Sequence, residues 1–316
     1  MLSRTAASLY WMSRYLERAE NLARMLDVSY SLSLMPHDEH GAGLDELAMS
    51  LKITGTFEQY QQLHGELDAD RLLHFFALDG ENPGSIYCCL REARSNAHAV
   101  RGRITLEMWE NINASWLEVR EIAEQGLSSY GIGPFCEWVK CRSHLFRGSA
   151  YGTSLRNDAF RFMRLGICIE RADNTLRLLD SRYEMLGEDA DNITDGSAYD
   201  YYQWSALLRA LSVFEAFIEL YRGSPGKRKV VELLILHEDV PRSLRACVVE
   251  IKQILDELPE RSGRPAQYMA DEMEERLRHI GVGKILSTGL HPWLSESIVQ
   301  VRELAHAIRI AYLEVA

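Results

Sequence analysis

Along most of the chain apolar residues recur at steps of three and four, the period of an amphipathic helix, while the alternation that marks strands is scarce. Near the N-terminus Met12, Tyr15, Leu16, Ala19, Leu22, Ala23 and Leu26 fall on one side of a helix at about 100° per residue. A second segment repeats that stripe with Leu165, Cys168, Ile169, Ala172, Thr175, Leu176 and Leu179. The pattern predicts an all-α fold, a helical bundle. Between the apolar positions the two segments carry nearly the same polar residues. Glu17-Arg18-Ala19-Glu20-Asn21 continues to Arg24 and Asp27, and Glu170-Arg171-Ala172-Asp173-Asn174 continues to Arg177 and Asp180, 153 residues later.

The likeness extends further. Leu51, Lys52 and Phe57-Glu58-Gln59-Tyr60 match Leu208, Arg209 and Phe214-Glu215-Ala216-Phe217. Next, Leu78, Pro83, Ser85, Ile86, Cys89 and Glu92 match Leu236, Pro241, Ser243, Leu244, Cys247 and Glu250. Three blocks in the same order predict two tandem, pseudo-twofold related repeats, about residues 1–127 and 158–316, within a single duplicated domain. In the third block a proline suits the first turn of a helix, where its missing N–H has no partner anyway, so helices are expected to begin near Pro83 and Pro241. The serine two residues later can satisfy first-turn donors. The stretch 128–157, with Gly131, Gly133, Pro134, Gly148 and Gly152, reads as a structured, turn-rich connection. Leu186 to Ser197 reads as an exposed acidic loop without the spacing of an EF-hand, and Pro259 to Pro265 as a further loop.

Length and composition narrow the function classes. At 316 residues the chain has room for a large core, and its composition is that of a globular protein. Its net charge of −11 argues against nucleic acid, because phosphate neutralisation needs a dense Lys/Arg face. The one basic run, Lys227-Arg228-Lys229, follows Ser224-Pro225-Gly226 and is expected to open a solvated helix. No apolar run approaches the roughly 18 residues of a spanning helix, and no leader pattern is legible, so a cytoplasmic protein without membrane contact is expected. Six cysteines without paired spacing read as buried thiols rather than a disulfide framework.

The charged helices carry the candidate chemistry. Glu17, Glu20, Asn21, Arg24 and Asp27 recur at helical steps, as do Glu170, Asp173, Asn174, Arg177 and Asp180. Apolar positions differ between the copies, as in Leu22 against Thr175, whereas the polar identities are kept. A solvated face tolerates most polar substitutes, so retention points to fixed partners. Three readings stay open: an exposed face, a buried ion-pair network joining the halves, and a cleft for a charged ligand. Arg14 matches Ile167 and Trp11 matches Arg164, so a binding face is expected to be asymmetric and nearer the copy with Arg14, Glu17, Arg18 and Glu20. A second candidate is the Gly/Ser/Thr stretch Arg147, Gly148, Gly152, Thr153 and Arg156, read as a loop whose N–H groups can face an anion.

Other motifs fall short of a complete site. Glu303 and His306 form one Glu-x-x-His, where a di-metal bundle needs two plus two further carboxylates. Cys136, Cys141 and His144 lack a fourth zinc ligand, and Gly281-Val282-Gly283-Lys284 lacks the first glycine of a phosphate loop. No metal or cofactor is expected from motif alone.

The run Leu9-Tyr10-Trp11-Met12-Ser13-Arg14-Tyr15-Leu16-Glu17-Arg18-Ala19-Glu20-Asn21, with Arg147-Gly148, Gly152-Thr153, Arg156 and Phe162 through Asp173, resembles the bacterial alpha-E family over essentially the whole chain. The resemblance implies an all-helical protein encoded beside, or fused to, a circularly permuted ATP-grasp protein and a transglutaminase-like protein. It implies an accessory role in an amide-forming or peptide-modifying system. ATP and Mg would sit on the ATP-grasp partner, and this chain would hold a peptide or amine substrate or the partner itself. The family's motif residues carry over to Glu17, Arg18, Glu20, Glu170, Arg171 and Asp173, while Ile167 and Cys168 depart from the arginine and aromatic expected before the second motif. Alternatives are an enzyme using paired carboxylates such as Glu17 and Glu170 as acid/base groups or metal ligands, and a purely structural scaffold.

Overall fold

A computed structural model describes residues 1–34, 42–186, 198–258 and 264–314. These residues form sixteen α-helices, a short π-helical stretch at Arg309–Leu313 and no strand, so the protein is all-α as its periodicity predicts. The acidic stretch 187–197 and residues 259–263 of the second expected loop lie outside the described residues. The remainder of that loop is helical, with Pro265 in the first turn of its helix, where it costs no hydrogen bond. No helix among the described residues is long and apolar enough to cross a membrane.

The chain divides into two compact units, Met1 with Ser8–Gly166 and Leu2–Ala7 with Ile167–Ala316. The first draws on α1 (Ser3–Ser33), α2 (Ala42–Thr54), α3 (Phe57–His64), α4 (Ala69–Ala77), α5 (Ile86–Ala99), α6 (Leu106–Gln125), α7 (Leu127–Tyr130) and α8 (Ile132–Thr153). The second draws on α9 (Asp158–Leu186), α10 (Ala198–Ala210), α11 (Phe214–Tyr221), α12 (Lys227–Leu236), α13 (Leu244–Glu257), α14 (Arg264–His279), α15 (Val282–Thr288) and α16 (Leu290–Ile308). Three pairs of helices at equal places in the two series have equal lengths: α2 and α10 have 13 residues, α3 and α11 have 8, and α5 and α13 have 14. The joints agree as well, since the chain turns through left-handed backbone at Gly55 after α2 and at Ser212 after α10.

The prolines of the third block do not open helices. Pro83 and Pro241 lie outside, and Ser85 and Ser243 are the N-caps, each accepting from the amide three residues on, Cys88 at 3.1 Å and Ala246 at 3.0 Å. A hydroxyl that satisfies a first-turn donor fixes the boundary more firmly than a preset φ. Lys227 does open a helix, as expected, with Arg228 and Lys229 exposed.

The turn-rich connection is likewise helical. Residues 132–153 form one helix, α8, despite Gly133, Gly148 and Gly152. Ile132, Phe135, Cys136, Val139, Ser143, Phe146 and Ala150 recur at steps of three and four and are all buried. Burying that stripe outweighs the roughly 1 kcal/mol each interior glycine costs relative to alanine. Side chains then tie α8 to α6: Trp138 Nε1 and Arg142 Nε donate to Glu118 at 2.7 and 3.0 Å, and Asn111 Nδ2 donates to Ser149 Oγ at 2.7 Å.

A close approach sets α1 against the start of α9 within the first unit. A Cβ on Gly166 would lie 2.4 Å from the carbonyl oxygen of Tyr10, so only glycine lets these two backbones meet at that distance.

Candidate functional site

In the first unit the face of α1 that carries the Glu-Arg-Ala-Glu motif packs against α8. Glu17, Glu20 and Asn21 are buried, Glu20 completely, so the solvated-face reading fails. Two helices supply Glu20 with donors. Arg24 Nε reaches its Oε1 at 2.9 Å from one turn along α1. Ser143 Oγ donates to Oε2 at 2.6 Å from α8, and Arg147 Nη1 pairs with the same oxygen. Arg147 Nη1 also lies 3.3 Å from Glu17 Oε2 and 3.1 Å from Ser143 Oγ. A fully buried carboxylate is tolerated only when paired this completely.

The network opens outward through His144, whose side chain is 55% exposed. Arg24 Nη2 stands 3.2 Å from His144 Nε2. A guanidinium has no acceptor, so the ring nitrogen accepts and the imidazole is neutral there. Partial burial, with Arg147 and Arg24 nearby, pushes His144 below its ordinary 6.5 even though Glu20 pulls the other way. One turn before, Lys140 Nζ bridges Asp27 of α1 at 3.1 Å and Glu137 at 2.7 Å. Burial works against that ammonium, yet its hydrogen bonds to Glu137 and Asp27 prevail and hold it above the ordinary lysine range.

The other sequence candidates scatter. Arg14 lies over the rings of Tyr10 and Trp11 at 5.6 and 5.1 Å, and Arg18 lies 5.8 Å from the Tyr15 ring. Arg147 joins the Glu20 network as a helical side chain rather than as part of an anion loop. Gly148 and Gly152 sit inside α8, where helical hydrogen bonding occupies the backbone N–H groups a nest would need. Thr153, about 9 Å along the axis from Arg147 at 1.5 Å per residue, hydrogen-bonds Thr105 and the Ser149 carbonyl. Arg156 stacks on Phe160 at 4.0 Å and on Tyr151 at 4.9 Å. Cys136, Cys141 and His144 do not gather their ligand atoms, and burial pushes the Cys136 thiol up to about 12.

The second unit repeats only part of this. Glu170 and Arg171 are buried, and Arg177 Nε pairs with Asp173 at 2.7 Å as Arg24 does with Glu20. Asn174, the match of Asn21, is half-buried. Gly131-x-x-Pro134-Phe135 at the start of α8 matches Gly289-x-x-Pro292-Trp293 at the start of α16, and both glycines have positive φ. Carried along the two helices, that register places Val301 at Ser143 and Ala305 at Arg147. Ser143 and Arg147, which close around Glu20, therefore have no polar counterpart in α16.

Sequence reasoning missed Ser143 and Lys140, and it weighed His144 only as a zinc ligand. Their signal is the spacing Lys140, Ser143, His144, Arg147, one polar face of a helix, legible once 132–153 is read as helical.

Comparison with known proteins adds kinship but no activity. A family model described as a predicted alpha-helical domain with a conserved ER motif matches residues 1–313. Proteins of Mycobacterium tuberculosis and Mycobacterium bovis, both named as uncharacterised, are each 26% identical over 297 residues, 87% of this chain. The chain spans about a third of the length of those relatives, 32%. No solved structure matches.

Proposed function

The chain belongs to the alpha-E family, and from that premise we propose that it is the substrate- or partner-holding component of an ATP-grasp-dependent amide-forming or peptide-modifying system. The family resemblance supplies the system. The role within it rests on one observation: the motif carboxylate Glu20 is wholly buried and engaged by Arg24, Ser143 and Arg147. A carboxylate whose oxygens are taken up by two guanidinium groups and a hydroxyl is poorly placed to pass protons. For Glu20 itself that favours a holding role over acid/base catalysis.

Glu20 organises α1 and α8, and the exposed edge of the network, His144 beside Arg24, is the surface offered outward. The ATP-grasp partner, carrying ATP and Mg, would activate a carboxylate as acyl phosphate. The helical protein would present the peptide or amine that receives it, and a transglutaminase-like protein is a further candidate member of the assembly.

The test is reconstitution of the ATP-grasp protein with candidate peptides, with and without this chain, reading peptide-dependent ATP turnover. Omitting the chain is expected to abolish that turnover, and undiminished turnover would overturn the proposal. His144→Ala separates it from a pure scaffold. It should reduce turnover while the melting temperature at neutral pH stays within about a degree, because an exposed side chain contributes little to stability.

A further inference from the structure

Among the described residues, one set of three side chains brings metal-ligating atoms together: Asp180 and Glu184 on α9 and His291 in the first turn of α16, all in the second unit. Their ligand atoms lie within 4.8 Å of one another. His291 Nδ1 stands 2.6 Å from Asp180 Oδ1 and 3.6 Å from Glu184 Oε1. We infer that Asp180, Glu184 and His291 form a binding site for a divalent transition-metal ion of the zinc type, unrelated to the Glu20 network.

The donor set decides the ion. Magnesium and calcium take oxygen ligands, whereas one imidazole nitrogen with two carboxylate oxygens suits Zn²⁺, Co²⁺ or Mn²⁺. Three protein ligands leave at least one coordination position for water or a substrate group, the pattern of reactive rather than closed structural zinc sites. The geometry is also prepared. Asp180 and Glu184, four residues apart, share a helix face, and His291 is held between Gly289, at φ 96°, and Pro292, whose ring packs back on that glycine. At present Nδ1 donates to Asp180 at 2.6 Å, so an entering cation displaces that proton and the pair opens to the wider separation that two ligands of one ion need.

The set is particular to the second unit. By the internal registers, Asp27 stands at Asp180 but Ser31 at Glu184 and Gly133 at His291, while Lys140, which holds Asp27, is matched by Ile298. Lys140 thus pairs with Asp27 in one unit, and in the other Glu184 and His291 stand beside Asp180. Neither α9 carboxylate forms a recognisable motif with a residue more than 100 positions away, which is why the set is invisible in the sequence.

The experiment uses the full chain stripped with chelator and titrated with Zn²⁺ by calorimetry and with Co²⁺ by visible absorption. One equivalent of each is expected to bind, with Mg²⁺ and Ca²⁺ failing to compete. His291→Ala should weaken binding at least about tenfold, since even outer partners of metal ligands are worth about 10–100-fold. His306→Ala, an exposed histidine outside the set, should bind like the unsubstituted chain. If far-UV circular dichroism shows His291→Ala misfolded, Glu184→Gln takes its place. No stoichiometric binding, binding untouched by the ligand substitution, or preference for Mg²⁺ or Ca²⁺ would each overturn the assignment.

Discussion

At the residue scale the ER motif is a device for burying charge. Glu20 has lost water entirely and is repaid by contacts from its own helix and from α8. Removing one partner of a buried ion pair is costly because the remaining charge is stranded. Arg147→Ala leaves Arg24 and Ser143 in place, so the loss should fall at the low end of the usual range, about 3 kcal/mol in a denaturant titration. Ala305→Arg at the matched place in α16 should bring no comparable gain, and a neutral Arg147→Ala would show that the pairing carries no stability. His144 gives a pH signature. Its folded pKa lies below the ordinary 6.5, so the native state binds protons less readily than the unfolded one. Folding is therefore weakened as pH falls from 6.5 through the lowered folded value, while near neutral pH, where the ring is neutral in both states, the shift changes nothing. Proton NMR should show His144 titrating below 6.5, and a midpoint at or above it would contradict the burial that lowers it.

At the element scale α8 is decisive, because it was the stretch that glycine and serine made look like a loop. A glycine weakens a helix but does not end one while apolar residues keep the period on both sides. Gly148 and Gly152 lie in helical backbone with open space at the Cβ position. Alanine at either should raise stability by about 0.5–1 kcal/mol, seen as a higher melting temperature, whereas an anion loop would be damaged. Gly166 is the opposite case. Its Cβ would press on the Tyr10 carbonyl, so Gly166→Ala should cost about 1–3 kcal/mol or more as α1 and α9 are forced apart. The likeness of the two charged helices was readable from composition and spacing. Gly166 was not, because its meaning depends on which backbone arrives opposite it.

For the whole molecule the division of the chain is not a simple cut between repeats. The unit that holds residues 167–316 also claims Leu2–Ala7, where Ala6 is buried, and the stretch read as a connection belongs wholly to the first unit. Deleting residues 1–7 should therefore lower the melting temperature of the chain, and an unchanged transition would mean that the N-terminal turns contribute nothing to the second unit. By the internal match α8 and α16 differ at Arg147 against Ala305 and Gly133 against His291, and each unit carries a different cluster of charged groups.

The sequence by itself determined the helical class, the two charged helices, the serine-capped blocks and the kinship with other alpha-E chains. These are properties of periodicity and local spacing, written within a few turns of one helix. Tertiary structure alone decided that Glu20 is a buried hub, that Ser143, His144 and Arg147 surround it from 123 to 127 positions away, and that Asp180 and Glu184 meet His291. Such meetings depend on how helices distant in the chain are brought side by side, and burial of a shared apolar stripe, not any local motif, selects that pairing.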